Sequence, residues 1–391
     1  MSLTHRCRTA VSLAAARLYC QPAAVHRRPA DYSGTQFAVH RGALKTSQMT
    51  YEGFPGEVPF TLVLPENYDQ HREGGHPLLL YLTAPGLPDT TILEPQQLFG
   101  FMDPSDRSKS QISGIMSRAH AAELPLAVLS VSCAGHPQMK DMSNSCGRWS
   151  DWTNGSANWE TFTIQELLPH VRSQFNVGSD EPAQMGVSGI SSAGQGALRF
   201  GLKHPDVFGV VCGLSAAITP TVTAASLYRD HPNVPFSWAN EEVVFADENG
   251  EVNEDDFHAN NVISIASNHA SQQALLQHGT KILIDCGGRD ELFPYAGAEM
   301  LHRVLADNGI EHEYRLGLHG THIGSDAFQR DMYAIDFIVK HISRHMKGPD
   351  DMDAALAAHM ESVANAALDS WGIEKLSHGE AMAIVGQKIM K

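Results

Sequence analysis

The feature that most constrains this chain is a rhythm. Across nearly 300 residues, short apolar runs alternate with longer runs of helical periodicity. The short runs are Val58–Leu64, Leu78–Thr83, Leu126–Ser132, Ala183–Val187, Phe208–Gly213, Lys281–Cys286 and His312–Leu316. Each is bounded by Pro, Gly or polar residues, as strands are. Between them lie Gln111–Glu123, Trp159–Phe175, Ser192–His204, Tyr295–Asn308 and Ala327–His345, which read as helices. A strand feeding a helix, repeated many times, packs into an α/β fold around a mostly parallel sheet. The polar loop joining the first two strands suits an antiparallel edge hairpin. The rhythm breaks at 219–278, where Pro, Asn and acids accumulate. An insertion there, near the sheet end that binds ligands, would sit as a lid or as an inert surface excursion.

The two ends differ from this middle. Residues 1–30 hold five arginines and no acid, the first acid being Asp31. That is the composition of an organellar, mitochondrial-type leader; a disordered tail or an over-extended start fits the same residues. A secretory signal fits less well, because the apolar run from Ala10 is closed by Arg17. Residues 1–35 are therefore set apart from a catalytic domain over 36–347. After Gly348-Pro349, residues 348–391 form a helical extension rich in Ala, Leu and Met. It would pack on the main domain or on a partner subunit, and a homo-oligomer through these helices is one arrangement it allows.

Charge narrows the partners. The chain carries 28 basic and 44 acidic residues, a net charge of -16. Without residues 1–30, 23 basic residues face the same 44 acids, for a net charge of -21. Such a body repels phosphate backbones, so no nucleic-acid partner is expected. No apolar run reaches the roughly 18 residues of a membrane-spanning helix. Six cysteines are too few for a disulfide scaffold. Cys133 and Cys146 bracket a polar loop that a disulfide could close in an oxidising compartment, with two unlinked cysteines as the default. No metal and no cofactor is expected.

The chemistry lies in AQMGVSGISSAGQGAL, a short strand turning into a helix through Gly189-Ile190-Ser191-Ser192-Ala193. Small residues around Ser191 allow a sharp bend that lifts its hydroxyl above the sheet. The N–H of Ser192, at the helix N-terminus, would face an oxyanion. The usual G-x-S-x-G pattern has Ala193 at its last position. A serine hydroxyl needs a base, and the base needs an acid, in the chain order Ser, acid, His. Asp290 follows the strand in KILIDCGGRDELF, and His322 lies in the loop of RLGLHGTHIG. Asp285 and Glu291 are rival acids, and His319 is a rival base.

On these residues the chain resembles the esterase D family of α/β-hydrolases, which includes S-formylglutathione hydrolases, feruloyl esterases and secreted mycolyltransferases. GISSAGQGAL is similar to the family's nucleophile segment, Gly320-Thr321-His322 to its Gly-x-His, and Cys286-Gly287-x-x-Asp290 to its acid loop. Ser150-Asp151-Trp152 and Trp159-Glu160-Thr161-Phe162 resemble the mycolyltransferase branch, which also lacks the last glycine of the nucleophile pattern. The resemblance covers roughly residues 55–345 and implies an α/β-hydrolase fold with a Ser191, Asp290, His322 triad. It departs after Thr83, where the family's second oxyanion donor is replaced by Ala84-Pro85-Gly86-Leu87. Pro85 has no N–H, so the shifted equivalent is Leu87.

The leading expectation is a serine esterase or thioesterase acting on a small-molecule ester or thioester. The alternatives are acyl transfer to an alcohol or sugar from the same acyl-enzyme, and a non-catalytic binding protein on this fold.

Overall fold

The computed structural model describes residues 37–84, 87–94, 110–133, 149–218, 244–292, 295–322 and 326–347. The leader over 1–35, the whole C-terminal extension over 348–391, Cys146 and residues 219–243 of the insertion lie outside them. The chain divides into two compact units, Met1–Ile342 and Ser343–Lys391. The architecture below belongs to the first; of the second, residues 343–347 are described as the end of the last helix.

The described residues form one sheet of eight strands. They are β1 (Phe37–Lys45), β2 (Glu57–Pro65), β3 (Leu78–Leu82), β4 (Ala127–Val131), β5 (Met185–Ile190), β6 (Val210–Leu214), β7 (Lys281–Gly287) and β8 (His312–Gly317). Their spatial order is β1-β2-β4-β3-β5-β6-β7-β8. From β4 to β8 every pairing is parallel, while β1–β2 and β2–β4 are antiparallel. The mostly parallel sheet expected from the sequence is thus present.

The edge hairpin is not the pair that was expected. β2 pairs with β1, from Phe37 opposite Pro65 to Lys45 opposite Glu57, and not with β3. The physical reason is in β3 itself. LLLYL has no polar face, and all five residues are buried. Such a strand needs cover on both faces and belongs in the middle of a parallel sheet. β1 escaped the sequence reading because FAVHRGALK mixes Arg, His and Gly into its apolar pattern. Its Gly42 lies opposite Phe60, and a Cβ there would come within 2.4 Å of the Phe60 ring, so the glycine makes room for the aromatic side chain.

Helices cover both faces. They are α1 (Gln111–Ala121), α2 (Trp159–Thr161, widening into a π-helical stretch over Phe162–Leu167 and continuing as Leu168–Gln174), α3 (Ser192–Lys203), α4 (Glu254–Asn260), α5 (Val262–Ser267), α6 (His269–His278), α7 (Tyr295–Asp307) and α8 (Ala327–Lys347). Side chains alternate along a strand. Leu78, Leu80 and Leu82 therefore join one core with Phe162, Leu198, Phe200, Phe257, Leu275 and Leu301 of the helices on that side. Leu79 and Tyr81 face α1 and α8 on the other. There Gly114 of α1 lies against Met332, and Gly186 of β5 against Ile338.

Within the insertion, residues 254–278 form three helices, which corrects the expectation that the rhythm breaks throughout it. The signals were present as caps rather than periodicity. Asn253, Asn261 and Asn268 each cap a helix, accepting from the N–H groups of Asp256 (3.1 Å), Ser264 (3.0 Å) and Ala270 (2.9 Å). Glu254, Asp255 and Asp256 fill the first turn of α4, where the helix dipole favours acids. Gly279 ends α6 in the left-handed region at φ 63°. Phe245, Phe257, Val262, Ile263 and Leu275 bury these helices in the core.

A polar cluster sits under the α1–α8 face. Asp331 accepts from Gln111 Nε2 at 2.6 Å and from the Tyr81 hydroxyl at 3.2 Å. Burial pushes its carboxyl up from 3.8 to about 6, with Gln111, Tyr81 and Arg118 opposing the rise and Asp285 adding to it. The folded state then holds this proton more tightly than the unfolded chain does. The group's contribution to stability is greatest below about pH 4, declines up to about pH 6, and is flat above. Asp331→Asn keeps an acceptor for Gln111 and can donate to the Tyr81 oxygen. It is expected to stabilise the fold by about 1–3 kcal/mol above pH 6, relative to wild type, and to lose that advantage by about pH 4. Unfolding midpoints of both proteins across this range check it; parallel curves would contradict the assignment.

Candidate active site

Ser191 stands between β5 and α3 at φ 63° and ψ -125°. This backbone is disfavoured for a side-chain-bearing residue and costs of order 1–3 kcal/mol. Neighbours hold it there. The Ser191 N–H donates to the Leu214 carbonyl at 2.9 Å, and the Ser191 carbonyl accepts from Ala217 at 3.1 Å and from Gln195 at 3.0 Å. The segment leaving β6 therefore grips the bend from both sides.

The same geometry accounts for Ala193. A Cβ on Gly189 would lie 2.9 Å from the Ala193 Cβ and 2.5 Å from its carbonyl oxygen. A Cβ on Gly194 would meet the Leu214 carbonyl at 2.8 Å. The close approaches fall on positions 189 and 194, both glycine. The methyl of Ala193 occupies the space that Gly189 leaves.

His322 reaches this bend from the loop after β8. Its Nε2 lies 3.0 Å from Ser191 Oγ, and its Nδ1 lies 2.8 Å from Asp290 Oδ2. With the proton on Nδ1 donated to Asp290, Nε2 is free to accept the serine proton. Asp290 is 1% exposed and His322 8% exposed, so water competes little for the pair. Asp290 Oδ1 also accepts from the Leu292 N–H at 3.0 Å, which fixes the carboxylate's plane.

Two loops are joined to make this contact. Gly288 donates to the Gly317 carbonyl at 2.7 Å and Arg289 to the Gly320 carbonyl at 2.8 Å. Gly287 must be glycine for this, since a Cβ there would come within 2.5 Å of the Gly320 oxygen.

The rival residues have other partners. Asp285 accepts from Arg330 Nε at 2.5 Å and also faces Arg315 at 3.6 Å. Burial raises its carboxyl from the ordinary value, and Arg330 opposes that rise. Glu291 Oε2 accepts the backbone N–H of His322 at 3.2 Å, so it holds the base by its main chain. His319 is exposed. The Cys286 thiol, near Asp290, is pushed up to about 12 by burial, which keeps it protonated and unreactive.

The two expected oxyanion donors differ. The N–H of Ser192 opens α3 and meets no acceptor among the described residues, as the first turn of a helix allows. The N–H of Leu87 donates to the Ala84 carbonyl at 3.1 Å. The Leu87 carbonyl is held by Thr83 Oγ1 at 3.1 Å and Ser132 Oγ at 2.5 Å. Sequence reasoning missed Glu291's backbone contact and the whole environment of Arg330. No local pattern marks either.

Among the described residues no group of three or more His, Cys, Asp or Glu side chains is placed to hold a metal ion. None of the described helices is long and apolar enough to cross a membrane.

Comparison with known proteins agrees with this architecture. Three solved structures illustrate it. A ferulic acid esterase aligns over 79% of this chain and 100% of its own, at 16% identity and a TM-score of 0.56. An S-formylglutathione hydrolase from Agrobacterium tumefaciens aligns over 81% and 98%, at 14% identity and a TM-score of 0.55. A fluorophosphonate-binding serine hydrolase from Staphylococcus aureus aligns over 78% and 98%, at 17% identity and a TM-score of 0.51. At these identities the likeness is one of fold. No curated protein sequence matches the chain. The family model described as "Putative esterase" matches residues 52–322, from before β2 to His322 itself. The chain thus belongs to the Esterase family of α/β-hydrolases, and its enzymatic class is that of the carboxylic ester hydrolases.

Proposed function

We propose that the chain cleaves a small-molecule carboxylic ester or thioester through an acyl-enzyme on Ser191. The observation that carries this reading is the continuous contact from Ser191 Oγ through His322 to Asp290, at 3.0 and 2.8 Å, on a strained bend. His322 Nε2 takes the hydroxyl proton as Oγ attacks the acyl carbonyl. Asp290 fixes the imidazole and stabilises the imidazolium that forms. The developing oxyanion is held by the N–H of Ser192. Leu87 is the proposed second donor, and its N–H would have to leave the Ala84 carbonyl to serve. His322 then passes the proton to the leaving alcohol or thiol as the carbonyl carbon loses it. A water, deprotonated by His322, attacks the acyl-enzyme and frees the acid and Ser191.

An activated serine distinguishes this reading from a binding protein on the same fold. A fluorophosphonate probe is expected to label the full chain rapidly and one-to-one, with the adduct on Ser191 by mass spectrometry. Absence of labelling, or an adduct on another residue, would overturn the reading.

A further inference from the structure

We propose that Arg330 is a positioning residue that sets the separation of Ser191 and His322. This rests on the reading of those two residues as nucleophile and base. Arg330 is only 7% exposed, and its planar guanidinium bonds three segments at once through side-chain donors. Nε donates to Asp285 at 2.5 Å, at the end of β7. Nη2 donates to Ser215 Oγ at 2.8 Å, just past β6. Nη1 donates to the Thr321 carbonyl at 2.9 Å, the residue before His322.

Two of these segments carry the reacting side chains. Ser215 lies between Leu214, whose carbonyl accepts the Ser191 N–H, and Ala217, whose N–H donates to the Ser191 carbonyl. Ser215 itself is held at φ 40° and donates its N–H to the Asp285 carbonyl at 2.7 Å. One face of the guanidinium fork thus fixes the strip that grips the nucleophile, and another fixes the peptide that bears the base. Asp285 neutralises the charge, so the buried cation adds little field at His322. Arginine suits this task because its donors sit in a rigid plane; a lysine ammonium is a single flexible point. The assignment explains why the strand-end carboxylate nearest the loop is not the one that meets His322.

The test compares wild type, Arg330→Lys and Ser215→Ala as full chains. Readouts are the rate of fluorophosphonate labelling and the kcat and KM for p-nitrophenyl acetate. Arg330→Lys keeps the charge opposite Asp285 but cannot reach Ser215 and Thr321 together. Its labelling rate and kcat are expected to fall about 10- to 100-fold, with KM within about threefold, because misplacement of reacting groups weakens the transition state more than substrate binding. Ser215→Ala leaves the ion pair intact and removes one tether; a fall of about 3- to 10-fold is expected. A folded Arg330→Lys protein labelled at the wild-type rate would overturn the proposal, as would a loss confined to KM. Should Arg330→Lys not fold, Ser215→Ala decides alone, an unchanged labelling rate counting against the proposal. Failure of the wild type to label would instead sink the reading of Ser191 on which the proposal stands.

Discussion

Ser191→Ala is expected to lower kcat for a p-nitrophenyl ester by roughly 10⁴- to 10⁶-fold, leaving only the turnover that binding and the oxyanion donor supply. The loss is this large because nothing nearby can replace the hydroxyl. The Cys286 thiol is buried and held protonated. The neighbouring Ser192 is 3% exposed, so its hydroxyl is shielded from a substrate. Stability should barely change, by about 1 kcal/mol or less, since one hydrogen bond is lost and alanine must adopt the same positive φ. A variant that folds normally and loses turnover separates chemistry from structure. Retained turnover would remove Ser191 from the mechanism.

Asp290→Asn carries the second large effect, about 10³- to 10⁴-fold in kcat. Asp290 Oδ2 accepts from His322 Nδ1 at 2.8 Å, and its Oδ1 accepts from Leu292 at 3.0 Å. With the carbonyl of an asparagine kept on Leu292, the amide nitrogen faces Nδ1 and donates to it. The histidine proton then moves to Nε2, which can no longer take one from Ser191. The informative comparison is Glu291→Gln, one residue away. Gln can still accept the His322 N–H that Glu291 accepts at 3.2 Å, so kcat should stay within about threefold of wild type. Equal losses in both variants would mean that the loop, and not the Asp290 carboxylate, supports the base.

Much of this molecule is legible from local patterns. β2 through β8 follow from apolar runs between breakers, and α3 from the small residues after Ser191. Periodicity was silent on two features. β1 mixes polar residues into an edge strand, so its pattern shows only once Phe60 is seen to cover Gly42. The helices α4 to α6 are too short for a periodic stripe, yet each begins at an asparagine cap. Strand pairing is different in kind. Whether β2 joins β3 or β4 depends on which strand needs cover on both faces, a property of the whole sheet.

The sequence by itself determined the order of serine, acid and histidine, and that each follows a strand at the same end of a parallel sheet. That follows from bonded neighbours: small residues permit the bend at Ser191, and loops after strands carry polar side chains. Only the tertiary structure shows which partner each of Asp285, Asp290 and Glu291 meets, three carboxylates within seven positions. Each finds a different cation or N–H group, supplied by Arg330, by the His322 ring and by the His322 backbone. Those partners lie 31 to 45 residues away in the chain. A carboxylate's role is set by what it neutralises, and that is settled by packing between distant segments, not by the residues beside it.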